Sequence, residues 1–463
     1  MNLPVFKARE FVETQRESVA PPSQAGGPNF SSNGLSQVVQ ELDIYYDSPR
    51  TCFWAQNDRG GWIRIKSEDT KRWLAERGFR TERLKDERVS QVSSLLNAIQ
   101  RSKDIDYADS LAGYKTGIYQ INEHRILVRD SPKFIQAKPG EWRRLKGIIF
   151  NMLGSEQQLY LFGWLKIAIE ALYNFKPRVG QALTIAGPKD CGKSLLQNLI
   201  TEMLGNRSMK PHRYMSGETA FNSELFGAEH LIIEDEEAST DIRARRNFGT
   251  KIKDICANIT HSCHPKNRQA IHLTPFWRLT ISVNDEPENL MILPPIDESL
   301  ADKLIILKAE KHPMPMPTCS DREREAFMAT LRAELPHFIH FLVEWSIPDD
   351  LRSERYGVTH FQHPEILEAI GMLTPEARLL EVIDTVLFDS VASGSWEGTA
   401  LELQRELTGE HSKVRREADK LFSFPLACGT YLGRLHKQHE GRFSSEHTRN
   451  GNRWTIDPPS FDA

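Results

Sequence analysis

The sequence predicts an α/β protein organised around a parallel, doubly wound sheet, with a smaller α/β region before it and a helix-and-hairpin domain after it. Three observations carry this reading. First, the octapeptide GPKDCGKS, Gly187 to Ser194, fits G-x-x-x-x-G-K-[ST] and stands between the apolar run QALTIAG and the amphipathic run KSLLQNLITEML. A strand, a glycine-rich turn and a helix in that order form a phosphate loop. Second, three further short apolar runs follow, HLIIEDE (230–236), WRLTISVND (277–285) and DKLIILKAE (302–310), each closing on polar residues. In parallel sheets the ligand-binding groups collect at those carboxyl ends. Third, GTYLGRLHKQHEG reads as a helix and RFSSEHTRNGNRWTI as two strands turning at Asn450, Gly451 and Asn452.

Taken in order, residues 1–40 include SVAPPSQAGGPNFSSNGLSQ, which is rich in Ser, Pro, Gly, Gln and Asn. Burial there cannot offset the entropy of ordering, so a disordered tail is expected, with structure beginning near Leu42. An amino-terminal α/β domain is expected over 41–140. Within it, CFWAQNDRGGWIRI predicts a hairpin around NDRGG, and GIYQINEHRILVR (117–129) predicts a second. Ser67 is expected to cap a helix over EDTKRWLAERGF that Gly78 ends. No catalytic constellation is visible in this region. Over 141–178, apolar residues at three- and four-residue spacing in LKGIIFNML and LYLFGWLKIAIEALY predict helix. Such helices either form a collar for subunit contacts or pad the core. The nucleotide domain is expected over 179–350 and a last domain over 370–463. In the last domain a helix precedes a hairpin, and Arg434, Lys437, Arg442, Arg449 and Arg453 face only Glu440 and Glu446. That pattern suggests a winged helix that touches DNA.

Bulk properties narrow the function. The 463 residues imply roughly two to four domains. A formal charge of -4 excludes a protein that is basic throughout, so contact with nucleic acid must come from local patches. The run LYLFGWLKIAIEALY is too short to span a bilayer and carries Lys166 and Glu170. The start, MNLPVFKARE, lacks the apolar core of a secretory signal. Six cysteines without a C-x-x-C pair fit reduced thiols, so a cytoplasmic protein without membrane contact is expected. CANITHSCH (256–264) sets two Cys near two His, at a spacing that matches no common zinc pattern.

The nucleotide contacts are expected from Gly187, Pro188, Lys189, Asp190, Cys191, Gly192, Lys193, Ser194 and Leu195. Glycines let backbone N–H groups turn toward phosphates, and the helix amino terminus adds its positive end. Lys193 would reach the β- and γ-phosphates of ATP, and Ser194 would supply an oxygen to Mg²⁺. The acidic strand end supplies metal ligand and base: Glu234 with Asp235, or Asp235 with Glu236. Asn284, at the end of the next strand, is placed to hydrogen-bond the attacking water or the γ-phosphate.

Lys193, Glu234/Asp235 and Asn284 in this compact order resemble superfamily 3 helicases, the hexameric AAA+ motors of small DNA viruses, and particularly the primase-helicase proteins of phages and plasmids. The resemblance implies an AAA+ core, a homo-hexameric ring, and ATP-driven DNA unwinding for a phage, plasmid or integrated element, with a separate primase or initiator as partner. In that family a Lys on a helix leads into a hairpin that grips single-stranded DNA in the central channel. Here IKDICANITHSCHPKNRQAIHLTP offers Lys253 as the start and His264, Lys266 and Arg268 as the tip. Two departures matter. The family places an arginine finger after the Asn strand, yet NDEPENLMILPPIDESLADKLIIL contains no Arg; Lys303, or Arg243, Arg245 or Arg246 in DIRARRNFGTK, would have to act in trans. The amino-terminal region also lacks primase carboxylates, so a helicase without its own primase is expected. An AAA+ initiator, loader or defence-associated nucleic-acid sensor would share the same nucleotide residues without unwinding.

Overall fold

The computed structural model describes residues 32–459, apart from 58, 86, 235–241, 267, 389–393, 423, 440, 449 and 450. The chain divides into two compact units, residues 1–110 with 115–131, and residues 111–114 with 132–463.

The first unit contains α1 (Ser32–Glu41), β1 (Ile44–Asp47), β2 (Cys52–Gln56), β3 (Trp62–Ile65), α2 (Ser67–Glu76), α3 (Gln91–Ser102), β4 (Asp104–Ile105), β5 (Tyr107–Asp109), β6 (Gly117–Ile121) and β7 (His124–Val128). Both expected hairpins form, β2 with β3 and β6 with β7. The second turns on two residues, with Asn122 in the left-handed region at φ 55°, as tight hairpins require. In α2 the cap differs from expectation: Ser67 is the first helical residue, and Lys66 precedes it without a side-chain cap. Gly78, at φ 87°, ends the helix as expected, with Phe79 N donating to Leu74 O at 3.2 Å. Structure also begins earlier than Leu42. Leu35, Val38 and Val39 of α1, with Leu42 just after it, pack in one cluster with Leu95 and Ile99 of α3, and this burial overrides the polar composition. Residues 1–31 of the expected tail lie outside the described residues. The four strands ordered β3-β2-β1-β4 carry helices on one face; on the other, Trp54, Tyr45 and Trp62 meet Leu127 and Ile118 of the second sheet, β5-β7-β6.

The second unit continues with α4 (Arg143–Tyr173), β8 (Ala182–Ala186), α5 (Lys193–Met203), β9 (Ser208–Met209), α6 (His212–Ser216), β10 (His230–Glu234), α7 (Ile242–Ala257), β11 (His261–Cys263), β12 (Ile271–Leu273), β13 (Arg278–Val283), α8 (Pro287–Leu290), α9 (Glu298–Ala301), β14 (Leu304–Lys308) and α10 (Asp321–Glu344). Five parallel strands run in the order β14-β8-β13-β10-β9. The expected strands thus share one sheet, and β13 lies between β8 and β10. After residue 350 the chain returns to this sheet: Ile306 N donates to Phe361 O at 2.7 Å and His363 N to Ile306 O at 2.9 Å. Residues 361–363 thus join the edge of the five-stranded sheet beside β14.

The two helical runs of 141–178 are one helix, α4, broken at Gly154, whose φ 70° and ψ −175° are non-helical. The freed carbonyls are satisfied locally. Glu310 N donates to Met152 O at 2.8 Å, and Gln157 Nε2 donates to Leu153 O at 3.1 Å. Gln157 also brackets Lys308 of β14, accepting from its N–H at 2.8 Å and donating to its carbonyl at 3.0 Å. The apolar side of α4 shares one core with α5, α10 and the sheet, through Ile149, Leu165, Leu196, Leu335 and Leu183. Of the two readings of these helices, this packing corresponds to the one that pads the core.

The chain ends with α11 (Pro364–Met372), α12 (Pro375–Leu387), β15 (Trp396–Thr399), α13 (Ala400–Leu407), α14 (Arg415–Leu421), α15 (Ala427–Gln438), β16 (Phe443–Thr448) and β17 (Gly451–Ile456). The strands order β15-β17-β16, over a core that includes Leu379, Leu403, Tyr431, Leu435, Phe443 and Trp454. Among the described residues no helix is long and apolar enough to cross a membrane.

The break in α4 yields a paired expectation. Gly154→Ala forces a side chain into a conformation open to glycine and costs about 1–2 kcal/mol, although space is free around it. Gly147→Ala, at an ordinary position on the same helix with equally free surroundings, adds up to about 1 kcal/mol. Thermal melts should therefore shift in opposite directions, and shifts of one sign would contradict the kink assignment.

Candidate nucleotide-binding site

β8 ends at Ala186 and the chain turns sharply. A Cβ on Gly187 would lie 2.4 Å from Ala309 O, a backbone atom that cannot give way, so only glycine fits. Asp190 at φ 63° and Gly192 at φ 100° carry the loop through the left-handed region, and α5 starts directly after them. Cys191 is buried within the turn. Lys189, Asp190 and Ser194 are exposed, while Pro188 and Leu195 are half-buried.

Lys193 is 6% exposed. Its Nζ donates to Gly187 O at 2.7 Å, to Pro188 O at 2.8 Å and to Asn284 Oδ1 at 3.0 Å. Among the described residues no carboxylate pairs with it. The ammonium is held by dipoles alone, an arrangement that favours an incoming anion.

Strand register explains how Asn284 arrives there. Val283 pairs with Ala186 and Ser282 with Ile185 across β13 and β8, while Ser282 pairs with Glu234 across β13 and β10. The residue after β13 therefore stands beside the loop, and Glu234 ends the next strand. Its half-buried carboxylate meets exposed Lys210 at 3.3 Å. Asp235 and Glu236 lie outside the described residues.

Beneath these ends runs a buried polar circuit that sequence reasoning missed. Gln197 Nε2 donates to Thr280 Oγ1 at 2.8 Å and to Ile233 O at 3.3 Å. His230 bonds Thr280 Oγ1 through Nε2 and Thr201 Oγ1 through Nδ1, both at 2.8 Å. Thr201 Oγ1 donates to Gln197 O at 3.1 Å. All these bonds form at once when His230 carries its proton on Nδ1: Gln197 donates to Thr280, Thr280 to Nε2, Nδ1 to Thr201 and Thr201 back to Gln197. Burial pushes the His230 pKa down to about 3, so the ring stays neutral. The circuit ties α5 to β10 and β13. The one sequence signal was Gln197 and Thr201, polar residues four apart on a helix.

The predicted cations separate into bound and free. Lys303 is 9% exposed, and its Nζ donates to Ser299 O at 2.7 Å and Asp302 Oδ1 at 2.6 Å. Arg245 is 7% exposed and donates to Leu293 O at 2.9 Å and to Leu373 O at 3.5 Å; burial, with the charge of Arg378, lowers its pKa. Within this chain both side chains are buried and bonded to oxygens of neighbouring turns. Arg246 is exposed, and the side chain of Arg243 lies outside the described residues.

The expected hairpin forms, as β11 paired with β12. Asn222 braces its base, accepting from His264 N at 2.7 Å and donating to Ser262 O at 2.9 Å. His264, Lys266 and Arg268 are all exposed at the tip. Lys253 is engaged elsewhere, paired with Asp297 at 3.2 Å and with Ser299 Oγ, so its charge serves α7 and the α9 turn. In the last domain Arg434 pairs with the buried carboxylate of Glu376, Arg442 with Asp384, and Arg453 with Glu397 at 3.5 Å. That leaves Lys437 exposed on α15, while Arg449 lies outside the described residues. Arg442 is thus held inside the domain, whereas Arg434 and Arg453 remain exposed while paired. Among the described residues no group of three or more His, Cys, Asp or Glu side chains could hold a metal ion.

A model for a family of unknown function, DUF5906, matches residues 185–299, from within β8 to α9. No curated protein matches. Among solved structures, the apo structure of the NrS-1 C-terminal region is similar at a TM-score of 0.51 and 13% identity, covering 92% of this chain and 98% of that one. An A-form apo structure of the same region gives 0.50 and 12%, covering 92% and 99%. At such identity the likeness shows a shared fold.

The circuit makes stability depend on pH. An unfolded His titrates near 6.5 and the folded ring near 3, so the unfolded state binds more protons below pH 6.5 and stability falls as pH drops from about 6.5 toward 3. At pH 5 the penalty from this residue is about 2 kcal/mol. Relative to His230→Gln, the wild type should lose that much between pH 7 and 5 in melts or denaturant titrations. Parallel pH profiles for the two proteins would contradict the assignment.

Proposed function

We propose that this chain is an ATP-dependent DNA helicase of superfamily 3 type, a ring-forming motor built on an AAA+ core and serving replication of a phage, plasmid or integrated element. The observation that carries the reading is the 3.0 Å contact between Lys193 and Asn284, made across a sheet in which the Asn strand lies between the loop strand and the acidic strand. An interposed strand of this kind supports a role for the Asn284 amide toward the γ-phosphate of a bound nucleotide.

On this reading the backbone of Gly187–Ser194 cradles the phosphates of ATP, and Lys193 exchanges its carbonyl partners for β- and γ-phosphate oxygens. The chemistry of the site suits Mg²⁺, because exposed Ser194 and the carboxylate of Glu234 are oxygen donors, and Asp235 is the next residue in sequence. When bound, the ion neutralises charge on the phosphates. Asn284 orients the attacking water, and a carboxylate at the acidic strand end takes its proton. Among the described side chains of its cluster Arg246 is the exposed cation, and it is the candidate to complete the site of the next subunit. Lys266 and Arg268 on the hairpin tip would hold backbone phosphates of a single strand in the channel of a hexamer. Helix α15 and the β16–β17 hairpin form the winged-helix-like part, with Lys437 as the available contact.

Lys193→Ala is expected to lower ATP hydrolysis by roughly 10²-fold or more and to abolish displacement of a strand from forked DNA. Lys266→Ala with Arg268→Ala is expected to remove the increment in phosphate release that single-stranded DNA provides. Unwinding at the wild-type rate by that double variant would contradict the role of the hairpin. Hydrolysis without any strand displacement by the unaltered protein would move it to the AAA+ initiators or loaders.

A further inference from the structure

The first unit carries a site that the motor does not use. A cavity of about 270 Å³ opens on the face of the β3-β2-β1-β4 sheet and is lined by Arg50, Trp54, Trp62, Arg64, Asp109 and Arg129. Cross-strand register builds it. Trp54 pairs with Arg64 across β2 and β3, and Trp62 precedes Arg64 by two residues, so all three side chains share one face. Trp54 forms the floor: it is 4% exposed, and its indole donates to buried Asp47 at 3.0 Å. Trp62 forms a half-buried wall, held upright by the edge of Tyr45 at 5.7 Å.

The charges around these rings are ordered by one another. Arg50 donates to Ala108 O at 2.6 Å and to Asp47 at 3.0 Å. Arg129 bonds Asp109 at 2.8 Å and lies 5.6 Å over the Trp54 ring. Arg64 is exposed and pairs with no carboxylate among the described residues. Three arginines thus meet one lining carboxylate, with Asp47 behind the floor. A pocket so charged takes an anion, and the indole wall takes a flat ring.

We propose that this pocket binds single-stranded nucleic acid, with one base stacked on Trp62 and a flanking phosphate on Arg64. The volume lies below the ~300–1,000 Å³ of sites that enclose a whole small ligand, which suits one base of a polymer whose backbone continues outside. β3 is the edge strand of its sheet, so the strand has an open side to enter. Duplex DNA is a poor fit, because its bases are already stacked and cannot reach the indole.

The test uses the full chain without nucleotide, so its failure is distinct from failure of the ATPase reading. Binding of fluorescein-labelled (dT)20 is followed by anisotropy, and a bromouridine-substituted oligonucleotide is photocrosslinked and mapped by peptide mass spectrometry. The expected result is a crosslink at Trp62, roughly tenfold weaker binding for Trp62→Ala, and for Arg64→Ala a salt dependence shallower by about one counterion. Trp62→Phe retains the stacking face and should stay close to wild type, which separates recognition from folding. Unchanged affinity in Trp62→Ala and Arg64→Ala would overturn the proposal, as would displacement of the oligonucleotide by polyglutamate at equal charge concentration, which would make the pocket a site for acidic peptides.

Discussion

The second unit depends on the position of β13 between β8 and β10. Without that strand the phosphate loop would adjoin the acidic strand directly, and no side chain would meet Lys193 from the side. With it, the carboxyl ends of three parallel strands fall in step, and Lys193, Asn284 and Glu234 reach one rim. The register is enforced from below by the circuit of Gln197, Thr280, His230 and Thr201, which bonds the loop helix to both neighbouring strands. A slip of one residue would turn these polar groups to the opposite face and strand them without partners.

The same economy governs the cations. Lys193 is buried, and among the described residues its ammonium meets carbonyl and amide oxygens and the Cys191 sulfur but no carboxylate, an arrangement that favours an incoming anion. Lys303 is buried too, but its Nζ reaches the carboxylate of Asp302, whereas Arg245 bonds backbone carbonyls as Lys193 does. Neither burial nor carbonyl partners alone mark a functional charge; Lys193 is set apart by its place in the glycine turn beside Asn284. The hairpin between β11 and β12 follows the opposite course, with its base braced by Asn222 and its tip left in solvent.

Much of this was legible in the sequence because it is local. GPKDCGKS, the apolar runs ending in polar residues, both amino-terminal hairpins and the β11–β12 hairpin all announce themselves within short windows. What escaped depends on partners far along the chain. α1 looked disordered by composition, although its stripe of Leu35, Val38 and Val39 needed only α3 to pack against. Arg434 looked free because Glu376, its partner, lies 58 residues away. The break at Gly154 was hidden because glycine in an apolar helical pattern is common, and only the end of β14 explains why the chain bends there. The arginine and tryptophan pocket escaped for the same reason, since its members come from β2, β3, the turn after β1, and the strand ends near Asp109 and Arg129.

The central claim is that nucleotide at Lys193 is completed by a second subunit and drives a strand past the β11–β12 hairpin. Electron cryomicroscopy of the full chain with a non-hydrolysable ATP analogue and forked DNA tests it directly. The account predicts a six-membered ring with the analogue between adjacent subunits, Arg246 of one facing the phosphates of the next, and a single strand against Lys266 and Arg268. A monomer, or a ring with the strand outside it and the hairpins empty, would contradict it.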